Sequence, residues 1–382
     1  MIAVVGLGAA GGNIADEAIR EGVPAIAINY SEKDLDSLEH VEMRLKLIGS
    51  EGVGKNRNEA IELMSKNWEA ALRFVKENLY SPSVEIIMVC FSTGGGSGSG
   101  IGPLLIELLL EEMPDKTFVA VPILPDESEF MINQLNCIHA SEELSKLPVC
   151  VLPIDNQQIR KQIADIGKAR LYQKTNSCFI EMINTLYTYT EKQSKYGVLD
   201  QKDLRTLFST RGIAHISIHK PSKMQEGQIK MTPEGIGESV QKSWDDSVYV
   251  PINNKQIKRA GLIFEGPDNW LEFIAPKHIF SKFKGGMPMD LFDGYYQGNE
   301  VTIITILTGL SWYTDRLHRI EKLINEQQNT VQAVQGADEE YQSTLTSVQT
   351  IPKTIAKSTY SSPSKKVQNK KKVSDLISRY KR

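Results

Sequence analysis

Cysteine is scarce in this chain of 382 residues: Cys90, Cys137, Cys150 and Cys178 lie far apart, each in an apolar segment, with no C-x-x-C pair among them. They read as buried thiols in a reducing cytoplasm. Also missing is any apolar run near the roughly 20 residues that a membrane span needs. Nothing resembles a signal peptide, because residue 1 opens straight into a strand. The sequence therefore predicts a cytoplasmic globular protein with no membrane partner, and 41% hydrophobic content over this length is enough for two cores. Acid is nearly absent from one place only. From residue 351 to the end, ten Lys/Arg stand against the single Asp375, a net of +9, so the total of −3 leaves −12 on the first 350 residues. An acidic body with a basic tail points to a polyanionic or acidic partner for the tail.

What is abundant is glycine in two loops. "AVVGLGAAGGNIADEAI", residues 3–19, is an apolar strand, a turn and a helix start that spell G-x-G-x-x-G through Gly6, Gly8 and Gly11. Such a turn offers unpaired N–H groups and a helix dipole to any phosphate. A dinucleotide site also needs an acid about 20 residues on, at the end of the next strand. That strand, "PAIAINY", ends on Asn29, and Glu32 and Asp34 fall beyond it. The missing acid weakens a dehydrogenase reading without removing it.

The second cluster is "STGGGSGSG", residues 92–100, between a buried-type strand at 86–91 and a nearly continuous apolar helix. Gly94, Gly95, Gly96, Gly98 and Gly100 let the backbone press against a ligand, and Ser97 and Ser99 add hydroxyls at the helix start. A Walker A motif is excluded, since no Lys-Ser or Lys-Thr follows.

At this point the chain resembles the tubulin/FtsZ superfamily of GTPases, whose signature loop reads G-G-G-T/S-G-T/S-G. The resemblance implies an α/β fold: a Rossmann-like parallel-sheet GTPase domain over 1–171, a long central helix over 172–198, and a second α+β domain over 199–310 for filament contact. A C-terminal helix and linker over 311–350 and a disordered basic tail over 351–382 would follow. It implies GTP and GDP as ligands, with Mg2+. In "GLGAAGGN", Gly8, Ala9, Ala10 and Asn13 would face the phosphates, and Asn29 would lie near the metal and phosphates. In "GSEGVGKNRNEA", Gly54 and Lys55 would approach the γ-phosphate. The signature loop would contribute Thr93, Gly94, Gly95, Gly96, Ser97, Gly98 and Ser99. "ILPDESEFMINQLN" stands where the ribose is met, nominating Glu129 with Asn133, and "LPIDNQQI" nominates Asn156 for the base. Tyr172 and Asn176, four apart on one helix face, would stack on guanine and read its edge. No residue is assigned as a dedicated metal ligand, and His215 with His219 in a strand pattern lack a third ligand.

Asp200 and Asp203 in "GVLDQKDLRTLF" lie three apart at a helix start, the spacing of a cap. The resemblance gives this stretch a second role, as the loop that enters the neighbouring subunit's pocket and aligns the attacking water. The family's asparagine two positions before the first Asp is replaced here by Val198. Hydrolysis shared between subunits implies head-to-tail filaments, so the first partner is the protein itself. In "VSDLISRYKR", Val373, Leu376, Ile377 and Tyr380 have helical spacing, a short amphipathic element able to fold on a partner. The basic tail resembles that of the TubZ branch, bacterial plasmid- and phage-borne homologues that move DNA, and implies an adaptor protein on centromeric DNA bound through 351–382. A divergent division protein or a phage-centring tubulin fits the same motifs.

Overall fold

The computed structural model describes residues 1–163, 165–221, 231–253, 255–335, 376 and 378–380. Strands and helices alternate through the first half: β1 (Ile2–Leu7), α1 (Gly8–Arg20), β2 (Ala25–Asn29), α2 (Glu32–Asp36), β3 (Arg44–Lys46), α3 (Arg57–Leu79), β4 (Ile86–Ser92), α4 (Ser97–Glu112), β5 (Thr117–Leu124), α5 (Met131–Lys146) and β6 (Cys150–Val151). Alternation of this kind builds a parallel sheet covered on both faces. The strands accordingly read as unbroken apolar runs, β1 and β5 being buried at every residue. Their order across the sheet is β3-β2-β1-β4-β5-β6. It reverses between β1 and β4, which opens a crevice beyond the carboxyl ends of those two strands.

The short β7 (Ile154–Asp155) leads into α6 (Asn156–Gln162) and the long α7 (Lys168–Thr190), then α8 (Gln201–Phe208) and β8 (Gly212–His219). β8 continues the same sheet by pairing with β6, and the remainder is α9 (Pro233–Ser243), β9 (Arg259–Gly266), α10 (Pro276–Ile279), β10 (Asp290–Gln297), β11 (Thr302–Leu310) and α11 (Thr314–Gln335). β11 runs antiparallel to both β8 and β9, and β10 runs parallel to β9. No helix among the described residues is long and apolar enough to cross a membrane. Cys90, Cys137 and Cys150 are buried free thiols, as expected, and Cys178 is half-buried.

Four segments depart from what their local sequence suggests, in which "DSVYVPI" and "WLEFIAP" read as strands and "GGMPMDLFDG" as a turn. The central helix expected over 172–198 spans Lys168–Thr190, ending where the hydroxyls of Thr185, Thr188 and Thr190 bond back to carbonyls of the preceding turn. "WLEFIAP" is a 3-10 turn at Asp268–Phe273 leading to α10: its apolar residues 270, 271, 273 and 274 have helical spacing, and Pro267 and Pro276 bracket the run. "DSVYVPI" forms no strand, only a single bridge from Tyr249 to Ile154, since Pro251 has no N–H to extend a ladder. "DLFDGYYQ", within and beyond what reads as a turn, is β10, held by eight register pairs with β9. Of the tail expected to be disordered, residues 351–375, 377 and 381–382 lie outside the described residues, Val373 and Ile377 among them. Leu376 and Ser378–Tyr380 are helical. His215 and His219 share a face as their spacing requires, and bond Ser247 and Ser239. Burial pushes them down to about 3 and about 4.

Candidate functional site: two uncapped helix ends at a strand crevice

Five helices of the described residues are capped by a side chain. Ser31, Asn56, Asp155, Asp200 and Thr232 each accept a backbone N–H at the start of α2, α3, α6, α8 and α9. α1 and α4 have no such cap and no acid in the first turn. Their leading N–H groups and positive dipole ends are thus left for an external anion. α5, α7 and the short α10 also lack side-chain caps, but α1 and α4 start at the crevice between β1 and β4. There the two loops touch: Gly8 has φ +69, and a Cβ on it would stand 3.0 Å from the Gly98 nitrogen. A third loop closes on them. A Cβ on Gly96 would lie 2.9 Å from the backbone of Lys55, so only glycine permits this approach.

Within this cradle, Ala9, Asn13, Gly54 and Lys55 are exposed, Ala10, Gly95 and Ser97 half-buried, and Gly94, Gly96 and Gly98 buried. Thr93 and Ser99 are fully buried, and their hydroxyls donate to the carbonyls of Ile123 and Gly95. Both shape the loop with their side chains. Lys55 has φ 70, alone among the described non-glycine residues, and its ammonium sits 4.9 Å from the Phe130 ring centre.

Asn136, on α5, escaped sequence reading. Its Nδ2 donates to Lys55 O at 3.1 Å and to Gly94 O and Gly95 O at 3.3 Å. One amide therefore staples the Gly54–Lys55 loop to the signature loop. Its signal lay only in the fold, since its partners are 81, 42 and 41 residues away. Asn136→Ala should weaken nucleotide binding about tenfold, the scale of one or two lost hydrogen bonds. Titration with a fluorescent GTP analogue measures this, and unchanged affinity would mean that the loops hold themselves.

A second group gathers at the start of α5, α6 and α7. Tyr172 Oη donates to Glu129 Oε1 at 3.5 Å, and Asn133 donates to the other carboxylate oxygen. Burial and the nearby Glu129 hold the Tyr172 phenol above its ordinary range, so it stays a neutral donor. Asn156 opens α6, and its Oδ1 accepts from Thr175 on α7 at 3.3 Å. Asn176, half-buried, follows Tyr172 by one turn. Glu129, Asn133, Tyr172 and Asn156 are thus brought together, whereas Asn29 stands apart at the end of β2. Its Nδ2 donates to Asp34 Oδ2 at 3.0 Å and its Oδ1 accepts from the Tyr30 N–H at 2.8 Å. Behind Asn156, Asp155 is paired in the interior with Arg316 of α11 at 2.8 Å, and Arg316 also donates to Pro125 O. Sequence reading missed this pair too. A separate cleft of 780 Å³ between α7, β8 and α9 contains none of these groups.

Asp200 and Asp203 lie far from the crevice. Asp200 caps α8 by accepting from Asp203 N at 2.8 Å, and Asp203 accepts from Asp200 N at 3.1 Å, a full capping box. Asp200 shares a surface hollow with Glu85, which precedes β4, and Arg205 of α8 donates to Asp115 O just before β5. The pair therefore sits at the amino ends of β4 and β5. The phosphate loops lie at the other end, beyond the seven residues of β4, about 20 Å away at strand rise. Burial first, and then the Asp200 carboxylate, hold Asp203 above the ordinary carboxylate range.

Residues 1–164 match the family model described as Tubulin/FtsZ family, GTPase domain. The relatives it matches include the tubulin-like protein CetZ of Pyrococcus horikoshii, 27% identical over 320 residues, which are 80% of this chain and 85% of that one. The tubulin-like protein TubZ of Clostridium botulinum C phage is 24% identical over 327 residues, 84% of this chain and 82% of the phage protein. A solved GTPγS-form protofilament of Bacillus thuringiensis serovar israelensis TubZ superposes with a TM-score of 0.73 at 16% identity, covering 87% of this chain and 94% of that one. At that identity the superposition establishes the shared fold.

Proposed function

We propose that this chain binds GTP in the β1/β4 crevice, assembles head to tail, and hydrolyses GTP at the contact between subunits. The observation that carries the reading is the separation just described. The groups suited to holding phosphates and the carboxylates suited to orienting water occupy opposite rims of one sheet, so one subunit alone is an incomplete enzyme. Stacking the Asp200 rim on the crevice of the next subunit completes the site, and the operation repeats without closing. The N–H groups of α1 and α4 then spread charge off the γ-phosphate while a carboxylate holds water in line. Tyr172, Asn156 and Asn176 supply a ring and two amides for guanine, with Glu129 and Asn133 beside the sugar hydroxyls.

Mg2+ fits the donor set at the end of β2. It takes hard oxygens, and it commonly uses one or two protein groups with phosphates and water completing its shell. Asn29 and Asp34 are the residues that would hold it, and bound there it would neutralise phosphate charge. Among the described residues no group of three His, Cys, Asp or Glu is placed for a metal.

Movement of plasmid or phage DNA, through an adaptor bound by the basic tail, is the duty we assign to the filament. The charge asymmetry of +9 in the tail against −12 in the body supports it, and the solved protofilament of a TubZ supports assembly. Light scattering with GTP, ATP or NAD, followed by negative-stain imaging, tests the core of the proposal. GTP with Mg2+ should give filaments above a critical concentration, while ATP and NAD should not. An equal response to ATP would remove the guanine assignment, and a response to NAD would restore the dehydrogenase reading.

A further inference from the structure

The last helix of the chain has a seat on its own body. Leu376 and Tyr380 are 3% and 5% exposed and belong to the same apolar cluster as Ile61 of α3, Leu104 and Leu108 of α4, and Leu144 of α5. Both oxygens of Glu107, in the middle of α4, are taken by this helix. Tyr380 Oη donates to Oε2 at 2.5 Å and Arg379 Nη2 donates to Oε1 at 2.9 Å. Burial and the Glu107 carboxylate together hold the Tyr380 phenol above its ordinary range, so it remains the donor in this bond. Glu111 follows Glu107 by one turn on α4, whereas Glu143 of α5 is buried and paired with Arg57. A tail of net +9 thus meets the body at the Glu107 carboxylate, with Leu376 and Tyr380 inserted.

We propose that the C-terminal helix docks in cis on the α4 face at Glu107, and that this docking withholds the basic tail from its polyanionic partner. The apolar side of a short helix can be spent once. Leu376 and Tyr380 are two of the four residues that the amphipathic pattern offers to a partner, and in this structure these two are consumed by the body. Covalent attachment keeps the helix at an effective concentration on the order of a millimolar, so even a modest seat is populated. Arg379 is 64% exposed, so its pair with Glu107 weakens with salt. The apolar seat gives the helix its place, and the charge difference between tail and body draws it there.

The docking concerns the tail and α4 alone, whereas its effect on a polyanion rests on the tail reading given above, so two measurements separate them. The first is hydrogen exchange of the C-terminal peptide in full-length protein without nucleotide. Amides of 378–380 should be protected equally at low and high protein concentration, and Glu107→Arg and Tyr380→Ala should each remove the protection. Tyr380→Ala alters only the tail, so a folding defect of the body cannot account for its result. Exchange at the free-peptide rate in the parent, or protection that grows with protein concentration as a neighbour's tail would give, overturns the proposal. The second is binding of a fluorescent 30-base-pair DNA duplex. A latch closed nine-tenths of the time lowers apparent affinity about tenfold. Tyr380→Ala and Glu107→Arg should therefore tighten duplex binding by about that factor relative to the parent and to Glu272→Arg, which adds the same charge at a distant exposed site. If protection is lost but duplex affinity does not rise above that control, the latch does not gate the tail and the proposal fails.

Discussion

Asp200→Ala subunits are expected to bind GTP as the parent does and to turn it over at least about 100-fold more slowly, the usual scale for a lost general base or water-orienting group. Binding survives because the crevice is built from α1, α4 and α5, at the far end of the sheet from Asp200. Filaments should still form with GTP, fail to convert it, and persist; a small fraction of the variant should freeze parental filaments as well. The capping box complicates the choice of substitution, since removing an N-cap carboxylate by itself costs about 1 kcal/mol. Asp200→Asn resolves this, because asparagine caps as well as aspartate but carries no charge. Phosphate release and light scattering should show both variants equally slow, with Asp203→Ala measured in parallel. If Asp200→Asn hydrolyses GTP at the parental rate per assembled subunit, the two carboxylates are a cap and nothing more.

Arg316→Ala should be the most destabilising single change among these, about 3–5 kcal/mol by urea denaturation. Its guanidinium is 6% exposed and its partner Asp155 is not exposed at all. Removing the cation leaves an anion in the interior with its desolvation uncompensated. The double replacement Arg316→Met with Asp155→Leu recovers only part of the loss, because Asp155 also accepts from Gln157 N as the cap of α6. Nucleotide affinity should fall with stability, since α6 begins at Asn156. A loss within about 1 kcal/mol would show that water reaches the pair.

The parts of the site that repeat a local rule were legible in the sequence. Glycine clusters between an apolar strand and a helix declare themselves, and β1, β2 and β4 were legible as strands from their unbroken apolar runs. Asp200 and Asp203 were legible as a cap for the same reason. What stayed hidden depends on partners distant in the chain. Asn136 reads as an ordinary helix residue until Lys55 is brought beside it, and Asp155 and Arg316 are 161 residues apart. β10 was hidden because "DLFDGYYQ" has two acids and a glycine, and its strand state comes from β9 alongside rather than from its own propensity. "WLEFIAP" misled in the opposite sense, its aromatic content suggesting a strand while its spacing was helical.

The sheet that joins the two rims is uneven. β8 and β11 share six register pairs, and β4 and β5 share seven. β6 and β8 share two, Cys150 with Gly212 and Val151 with Ile213. Every ladder from the crevice side to the β9–β11 side passes through that seam. β6 is held to β5 by two pairs as well, so in the proposed filament any tension borne by the ladder crosses this one thinly paired strand, and the sheet is most easily bent there.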